Sequence, residues 1–376
     1  MGSGIQLFKI KGIPIGLHPS WFLIFALLTW SLASGYFAPS VARLPDGTAW
    51  FMALVTSLLF FASVLAHELG HAFVALREKV PVKSISLFFF GGVAQIGREP
   101  ETPGAEFRIA IAGPLVSLAL AGTFLGMARF IEGLGLTGAL PLGEPAAYLA
   151  RINLILALFN LLPGFPLDGG RIFRAIVWKL NGNLYRATRI ASGVGQLVAL
   201  GFIAYGVFTV FNGGLANGLW LGFIGWFLFN AAGDAMVQTR TQEKLGGVVV
   251  DQVMTRIYPV VSADATLEDL VRLTLSSGSP GAFLVEKRWG APGIVTLREI
   301  STVPRHLWSQ VTAEQVMRPF QEAHPVSPDT PLLAALQQME EGGLAHVPVM
   351  AGDQIRGFLS REQILRYLRL RTEFGI

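Results

Sequence analysis

Long stretches without a charged side chain set the strongest limit on what this chain can fold into. Gly47 to Ala66 and Ile109 to Ala128 are uncharged runs of 20 residues each, and Ile190 to Gly233 is an uncharged run of 44 residues. A helix needs about 20 apolar residues to cross the hydrocarbon core of a bilayer. These runs therefore predict membrane-spanning helices and not the core of a water-soluble domain.

Two further runs and one turn bring the predicted number of spans to six. Between Lys11 and Arg43 only His18 could carry a charge at neutral pH, and Pro145 to Leu167 is interrupted only by Arg151. The long last run is divided in two by a cluster of turn-forming residues, Phe211 to Gly218. Composition agrees, since 52% of the residues are hydrophobic, 14% are charged and the mean hydropathy is +0.52. Ordinary soluble domains contain roughly 25% charged residues.

Lysine and arginine are distributed unevenly between the predicted loops. With a cytoplasmic N-terminus, twelve of these residues lie in cytoplasmic segments and three, Arg43, Arg129 and Arg151, lie outside. Because positively charged loops favour the cytoplasmic side, the sequence predicts a multi-pass protein of the cell (inner) membrane with both termini cytoplasmic. The net charge of +4 is modest and follows the membrane sides, so we predict no nucleic-acid partner.

The sequence changes character after Met236. Residues 240–376 alternate short β-branched runs with amphipathic segments, a pattern typical of a soluble α/β domain. Three motifs recur there at offsets of 63 to 65 residues: DQVM and EQVM, VSADATL and VSPDTPL, GIVTLREI and GFLSREQI. We therefore predict a membrane domain over residues 1–239 and a cytoplasmic domain of two similar units over residues 240–376.

The motif HELGH stands at the end of the second predicted span. His67 and His71 are one helical turn apart, so both imidazoles can reach one metal ion, and Glu68 lies close enough to act on a water molecule there. The spacing H-E-x-x-H is a zinc-hydrolase pattern. The alternative is a set of interfacial side chains at a helix end. Three ionisable groups in or beside a span are costly unless they serve a site, so we favour a metal site near the cytoplasmic face.

A third metal ligand is expected, because catalytic zinc sites commonly have three protein ligands and one open position. The sequence has no cysteine, which excludes thiolate ligands, disulfides and cysteine nucleophiles. Asp168 lies in FNLLPGFPLDGGR, whose prolines and glycines must break the fourth helix at the depth of His67. Such backbone occurs at membrane depth only where protein or a cavity surrounds it. Asp234, at the end of the sixth span, is the rival ligand.

The motif HELGH, followed by NLLPGFPLDGG from Asn160, resembles the site-2 proteases, intramembrane zinc metalloproteases that cleave the transmembrane segments of other proteins. The resemblance covers Ile5 to about Met236, and the second motif is the more specific of the two.

Each residue of the two motifs acquires an expected role from this resemblance. It implies one zinc ion per chain, bound by His67, His71 and Asp168, with Glu68 as general base and acid and Asn160 near the developing oxyanion. An amide in an apolar span also needs a partner. The alternative for Asn160 is a buried amide bonded to neighbouring backbone.

The segment Val82 to Ile96 alternates imperfectly between apolar and polar residues and turns at a glycine pair, which predicts a β-hairpin at the membrane surface. A comparable element of site-2 proteases resembles an edge strand that pairs with an unwound substrate. Strand addition of this kind replaces the hydrogen bonds that a helical peptide loses on extension. The resemblance implies four substrate-binding residues, Phe89, Phe90, Gly91 and Gly92. A purely structural hairpin is the alternative.

The C-terminal repeat resembles a pair of cystathionine-β-synthase (CBS) motifs, modules that often bind adenine nucleotides between the two copies. The family's G-x-x-T-x-x-D stretch corresponds to Thr296 and Glu299 in the first copy and to Ser360 and Gln363 in the second. The resemblance implies ATP or another adenine nucleotide bound by Thr296, Glu299 and Ser360, and a homodimer formed through the CBS pair. A ligand-free dimerisation module is the alternative.

The sequence thus predicts a polytopic α-helical membrane protein with six transmembrane helices and an interfacial β-hairpin, followed by a soluble α/β CBS-pair domain. Its expected partners are the lipid bilayer and a membrane-protein substrate with a transmembrane segment. Two other functions remain open, a CBS-gated transporter whose permeant cation binds Asp168 and the histidines, and an inactive membrane scaffold. The presence of Glu68 argues against both, because neither requires a base beside a metal.

Overall fold

A computed structural model describes residues 4–39, 47–89, 91–134, 143–277, 281–287, 292–352 and 354–374. The chain separates into two compact units, Met1–Val237 and Gln238–Ile376. Each unit has its own secondary structure and its own buried core.

The first unit consists mainly of helices. They are α1 (Ser20–Ser31), continued by a π-helical segment (Leu32–Phe37), α2 (Thr48–Arg77), α3 (Pro103–Gly133), α4 (Gly143–Asn160), α5 (Asp168–Asn181), α6 (Leu184–Phe211) and α7 (Leu215–Leu245). Within the described part of the chain, five helical segments are long and apolar enough to cross a membrane: Ser20–Phe37, Thr48–Arg77, Pro103–Gly133, Leu184–Phe211 and Leu215–Val237.

The fourth predicted span differs from the other five. Helix α4 has 18 residues, carries Glu144 and Arg151, and is not one of the five candidate spans. The helix break that the prolines and glycines predict is present, because α4 ends at Asn160 and α5 begins at Asp168. The number of six spans therefore stays a prediction.

A four-stranded sheet accompanies these helices. Its strands are β1 (Ile5–Ile10), β2 (Ile13–Leu17), β3 (Val82–Phe88) and β4 (Gly91–Ile96), in that spatial order. Strands β3 and β4 pair antiparallel within the segment for which the sequence predicts a hairpin, and β2 joins them through a parallel pairing with β3. The location of this pair at the membrane surface stays a prediction. Strand β4 lies at the edge of the sheet, so one of its sides has no strand partner within it.

Helices α2 and α3 are held close together by small residues. A Cβ atom at Gly70 of α2 would come within 2.9 Å of the Val116 side chain and 3.1 Å of the Ala112 carbonyl on α3. Small residues allow two membrane helices to approach closely where apolar surface alone gives no preference. This approach brings α3 directly beside the histidines of α2.

The second unit contains the predicted repeat. The first copy has β5 (Val260–Ser262), α8 (Leu267–Ser277), β6 (Ala282–Glu286), β7 (Gly293–Thr296) and α9 (Leu297–Ser301). After α10 (Ala313–Val316) and β8 (Arg318–Pro319), the second copy has α11 (Leu332–Glu341), β9 (His346–Ala351), β10 (Gln354–Ser360) and α12 (Arg361–Phe374). A parallel bridge between Val326 and Val349 corresponds to the β5–β6 pairing, and each copy encloses a hydrophobic cluster.

Candidate metal centre

Three side chains from two helices meet in the first unit. His67 and His71 lie on α2, and Asp168 is the first residue of α5. The Nε2 atoms of the two histidines are 3.1 Å apart, and they lie 3.1 Å and 3.2 Å from Oδ2 of Asp168. The structure thus brings together residues that are about 100 positions apart in the chain.

The outer nitrogen of each imidazole is bonded to α3. Nδ1 of His71 donates to the carbonyl oxygen of Ile109 at 2.7 Å, and Nδ1 of His67 lies 2.9 Å from Oγ of Ser117. A carbonyl only accepts hydrogen bonds, so Nδ1 of His71 carries a proton, and Nε2 is the nitrogen that faces Asp168. Hydrogen bonds of this kind orient metal-binding histidines and set their tautomers.

Gly113 of α3 faces both histidines. A Cβ atom at this position would overlap Nε2 of His67 and Nε2 of His71. Glycine therefore leaves open the space in front of the ligand atoms. Sequence reasoning did not identify Gly113, Ile109 or Ser117, although their spacing of four residues was a usable signal for one face of a helix.

The position of Asp168 depends on glycines in its own motif. A Cβ atom at Gly169 would overlap the carbonyl oxygens of Leu161 and Leu162, just after α4, and one at Gly170 would overlap the backbone at Gly164. Gly195 of α6 lies against the backbone of Phe165 in the same way. The loop between α4 and α5 is therefore folded tightly onto the first turn of α5 and onto α6, which directs Asp168 toward the histidines.

Glu68 lies between the metal-binding groups and the edge strand β4. Its carboxylate lies near the backbone N–H of Ala94. A Cβ atom at Gly92 would overlap the Glu68 side chain, so glycine permits this close approach. The predicted base and two predicted substrate-binding glycines, Gly91 and Gly92, are thus next to one another.

A cavity of about 640 Å³ opens onto these groups. Asn160, the last residue of α4, lines it together with Glu68 and Phe89. Its other walls are largely apolar and come from α1, α2, α4 and α7, with Ile24, Leu28, Phe60, Leu156, Trp220 and Ile224 among them. Phe90 lies outside the described residues. Asp234, the rival ligand, is exposed on α7 and is not part of the metal-binding group.

The donor set fits a zinc ion. Two imidazole nitrogens and one carboxylate oxygen lie within 4.8 Å of one another. Two histidines and one acid form a common ligand set of catalytic zinc sites, in which a fourth position stays open. The space kept open by Gly113 and the inward-facing Nε2 atoms of both histidines support the same assignment.

The residues predicted to bind nucleotide are arranged differently. Oε2 of Glu299 accepts hydrogen bonds from the backbone N–H and the hydroxyl of Thr296, at 2.9 and 2.5 Å. Oε1 of Glu299 pairs with Arg318 at 2.6 Å. These groups border a small cavity of about 60 Å³, with His346 of the second copy across from them. Ser360 is buried and does not line that cavity.

Fold and site together define a helical membrane protein with a cluster of two histidines and one carboxylate that could hold a metal ion. Comparison with known proteins agrees. The sequence matches Peptidase family M50 over residues 55–148 and 139–204, and the CBS domain over residues 250–305 and 313–370. The solved structure of the site-2 protease from Methanocaldococcus jannaschii is 32% identical, with a TM-score of 0.43, and the match covers 62% of this chain and 95% of that one.

Two relatives match almost the whole chain. Rip3 of Mycobacterium tuberculosis is 37% identical over 370 residues, which are 98% of this chain and 93% of Rip3. MJ0392 of Methanocaldococcus jannaschii is 30% identical over 374 residues, 98% of this chain and 97% of the relative. Both have zinc metalloprotease in their names. The chain belongs to peptidase family M50, and it is a zinc-dependent protease with a C-terminal CBS domain.

Proposed function

We propose that this protein cleaves peptide bonds within or next to the transmembrane segments of other membrane proteins. The observation that carries this proposal is the cavity in front of His67, Glu68, His71 and Asp168. Its walls are mostly apolar side chains, and three of the four helices that supply them, α1 with its π-helical continuation, α2 and α7, belong to segments long and apolar enough to cross a membrane. A site with such walls suits an apolar peptide segment better than a polar segment of a water-soluble protein.

The arrangement in the membrane follows from the helices and the basic residues. Helix α4 serves as the fourth span, so that six spans place both termini on the cytoplasmic side of the inner membrane. The twelve to three distribution of lysine and arginine supports this orientation. His67 and Asp168 then lie near the cytoplasmic face, where water is accessible.

The reaction is divided among residues of this chain. His67, His71 and Asp168 would hold the zinc ion, which when bound supplies a Lewis acid that polarises a carbonyl and lowers the pKa of water. Glu68 accepts a proton from the attacking water and passes it to the leaving amine. The side-chain amide of Asn160 donates a hydrogen bond to the oxygen of the scissile carbonyl as negative charge develops there.

Strand β4 is well placed to hold the substrate. It is an edge strand, and it lines the cavity through Gly91, Gly92 and Val93. An extended substrate segment that adds to this edge regains main-chain hydrogen bonds in place of those of its helix. Phe89 lies at the start of the turn and borders the same cavity.

The test is a comparison of membrane proteomes from cells that express the native chain or its Glu68→Gln variant. The variant keeps the zinc ligands and loses the base, so full-length substrates should accumulate and their cleaved forms should disappear. Glu78→Gln, at the end of α2 and outside the cavity, is the matched control. Identical proteomes for the native chain and Glu68→Gln, with both proteins present in the membrane, would refute the proposal.

A regulatory role of the CBS pair is part of the same proposal. ATP or another adenine nucleotide would bind beside Thr296 and Glu299 and would change the cleavage rate. Ser360 is buried away from this cavity, so a contact with the same nucleotide would require a rearrangement of the second copy. The CBS pair would also join two chains into a homodimer. The order of secondary structure in the two copies and the cavity between them support a ligand-binding function. Cleavage measured in detergent with and without ATP tests it, and an unchanged rate with no ATP binding would refute it.

A further inference from the structure

The first unit contains a buried ion pair that the proposed reaction does not use. Arg174 of α5 is 5% exposed, and Glu106 of α3 is 0% exposed. Nε of Arg174 donates to Oε1 of Glu106 at 2.6 Å, and Nη2 pairs with the same oxygen. A buried ion pair is costly to desolvate and is weak support for stability by itself. Its presence therefore calls for another explanation.

The Arg174 guanidinium contacts more than its main partner. Nη1 lies 3.5 Å from Oγ1 of Thr188 on α6 and 3.5 Å from Oε1 of Glu99, in the segment that follows β4. Its Cζ atom lies over the ring of Phe165 at 4.9 Å from the centroid. Phe165 belongs to the loop that packs onto the first turn of α5. The side chain of Arg174 thus contacts α3, α6 and the loop between α4 and α5.

Arg174 and its aromatic partner Phe165 lie on either side of Asp168 in the sequence. Phe165 lies three residues before Asp168, and Arg174 lies six residues after it. The guanidinium therefore holds the chain on both sides of the carboxylate. Arg can do this because its planar fork binds several acceptors at once and also stacks on an aromatic ring.

Glu106 connects this cluster to the histidines. On α3 it lies one turn before Ile109 and two turns before Gly113, on the helix face that also carries Ser117. That face bonds both imidazoles and leaves space in front of their Nε2 atoms. The ion pair with Arg174 therefore joins the helix that orients the histidines to the helix that carries Asp168.

We propose that Arg174, through Glu106 and Phe165, is a positioning residue that sets the distance of Asp168 from His67 and His71. The proposal rests on the assignment of these three residues as zinc ligands. Residues outside the ligand set that orient the ligands typically change metal affinity about 10- to 100-fold when they are replaced. Arg174 touches neither the zinc ligands nor the cavity, so its effect must pass through the position of Asp168.

The test measures zinc affinity by chelator competition on the full-length protein in detergent. Arg174→Lys keeps the positive charge but loses the fork and the stacking on Phe165. We expect it to weaken zinc binding about 10- to 100-fold, and excess zinc should restore its cleavage rate. Arg108→Lys is the matched control. Arg108 forms a two-bond pair with Glu78 at 2.7 and 2.8 Å, is exposed and does not contact α5, so its replacement should leave zinc affinity unchanged.

A second measurement separates positioning from a general structural role. In an Asp168→Ala background, Arg174→Lys should weaken zinc binding no further, because the ligand through which it acts is gone. An equal loss in both backgrounds would overturn the proposal, as would native zinc affinity in Arg174→Lys. Arg174→Lys could also lower the unfolding temperature of the metal-free protein. In that case Glu106→Gln, which keeps the shape of the side chain, takes the place of Arg174→Lys and is measured in the native and Asp168→Ala backgrounds.

Failure of the ligand assignment would give a different result. If Asp168→Ala alone binds zinc with native affinity, the assignment of Asp168 is wrong and the role of Arg174 is overturned with it. If Asp168→Ala loses zinc while Arg174→Lys and Glu106→Gln bind zinc normally, the ligand assignment stands and only the positioning role is refuted.

Discussion

The metal centre of the first unit and the cleft between the CBS copies both collect polar side chains, but their polar atoms are used differently. In the metal centre, ligand atoms of His67, His71 and Asp168 converge on one point, and the outer imidazole nitrogens bond to α3. In the cleft, both carboxylate oxygens of Glu299 are already bonded to neighbouring side chains. In the first arrangement the three candidate ligand atoms face one point, whereas a ligand that bound Glu299 would have to replace bonds that Glu299 already makes.

The largest expected effect is on the proton transfer at Glu68. Glu68→Gln removes the base and leaves the three zinc ligands unchanged, so we expect cleavage to fall by about 10²- to 10⁴-fold. Zinc content should remain that of the native protein. Cleavage of a verified substrate and elemental analysis of the same preparation check both statements. Normal turnover by a preparation free of native enzyme would disprove the proposed role.

Replacement of Asp168 should act on the metal itself. Asp168→Ala leaves two histidines, which is one ligand fewer than a catalytic zinc site commonly has. Zinc affinity should fall by more than about 100-fold, the upper range for residues that only orient ligands. Asp234→Ala, on α7 and outside the ligand group, is the control for removing a carboxylate. Full zinc occupancy in Asp168→Ala would require a different third ligand.

Gly113→Ala tests whether the space in front of the histidines matters. The added methyl group would overlap Nε2 of His67 and of His71, so zinc affinity should fall about 10- to 100-fold, as for other disturbances of ligand geometry. Gly122→Ala lies on the same helix with nothing within 4 Å of the added atom, and it should bind zinc normally. Equal zinc affinity in the two variants would contradict this prediction and would show that α3 can move to accommodate the methyl group.

We expect ATP to bind the CBS pair only weakly, because Glu299 must first exchange its present partners. We expect ATP to give measurable heat in calorimetry with the full-length protein and to raise its unfolding temperature by ligand linkage. Thr296→Val should weaken binding more than Ser360→Ala, since only Thr296 borders the cavity. The reverse order would place the nucleotide on the second copy.

The smallest expected effect concerns pH and the start of α8. Hydrogen bonds from the Thr266 hydroxyl and backbone N–H lower the pKa of the Asp269 carboxyl. A depressed folded-state pKa adds stability above the unfolded value of about 4, and this stability is lost as the pH falls through the folded value. Asp269→Asn should therefore lower the unfolding temperature of this unit slightly at pH 7 and progressively less below about pH 4.

Asp264→Asn, at an exposed aspartate that precedes α8, is the control for the loss of one carboxylate in this region. A difference between the native protein and Asp269→Asn that stays constant down to low pH would contradict the electrostatic explanation. Thermal unfolding followed at several pH values provides the comparison.

That His67, His71 and Asp168 come together could largely be predicted, because they lie in two motifs whose spacing has a direct geometric meaning. His67 and His71 must share a helix face at a spacing of four, and a segment as rich in proline and glycine as the one before Asp168 must leave the helix. Gly113 and Arg174 could not be assigned in the same way. Their roles depend on which helix packs beside α2 and α5, and a glycine or arginine in a helix carries no information about its neighbours.

The sequence by itself determined the apolar segments, the repeat in the C-terminal unit and the placing of His67 and His71 on one helix face, since all three depend on local periodicity and spacing. It also predicted the hairpin of β3 and β4. Only the tertiary structure decided that β2 joins this hairpin, that α3 supplies hydrogen bonds to both histidines, and that Glu299 is bound to Arg318. These contacts join residues far apart in the chain, and they depend on how closely particular surfaces can approach one another, which spacing along the sequence does not specify.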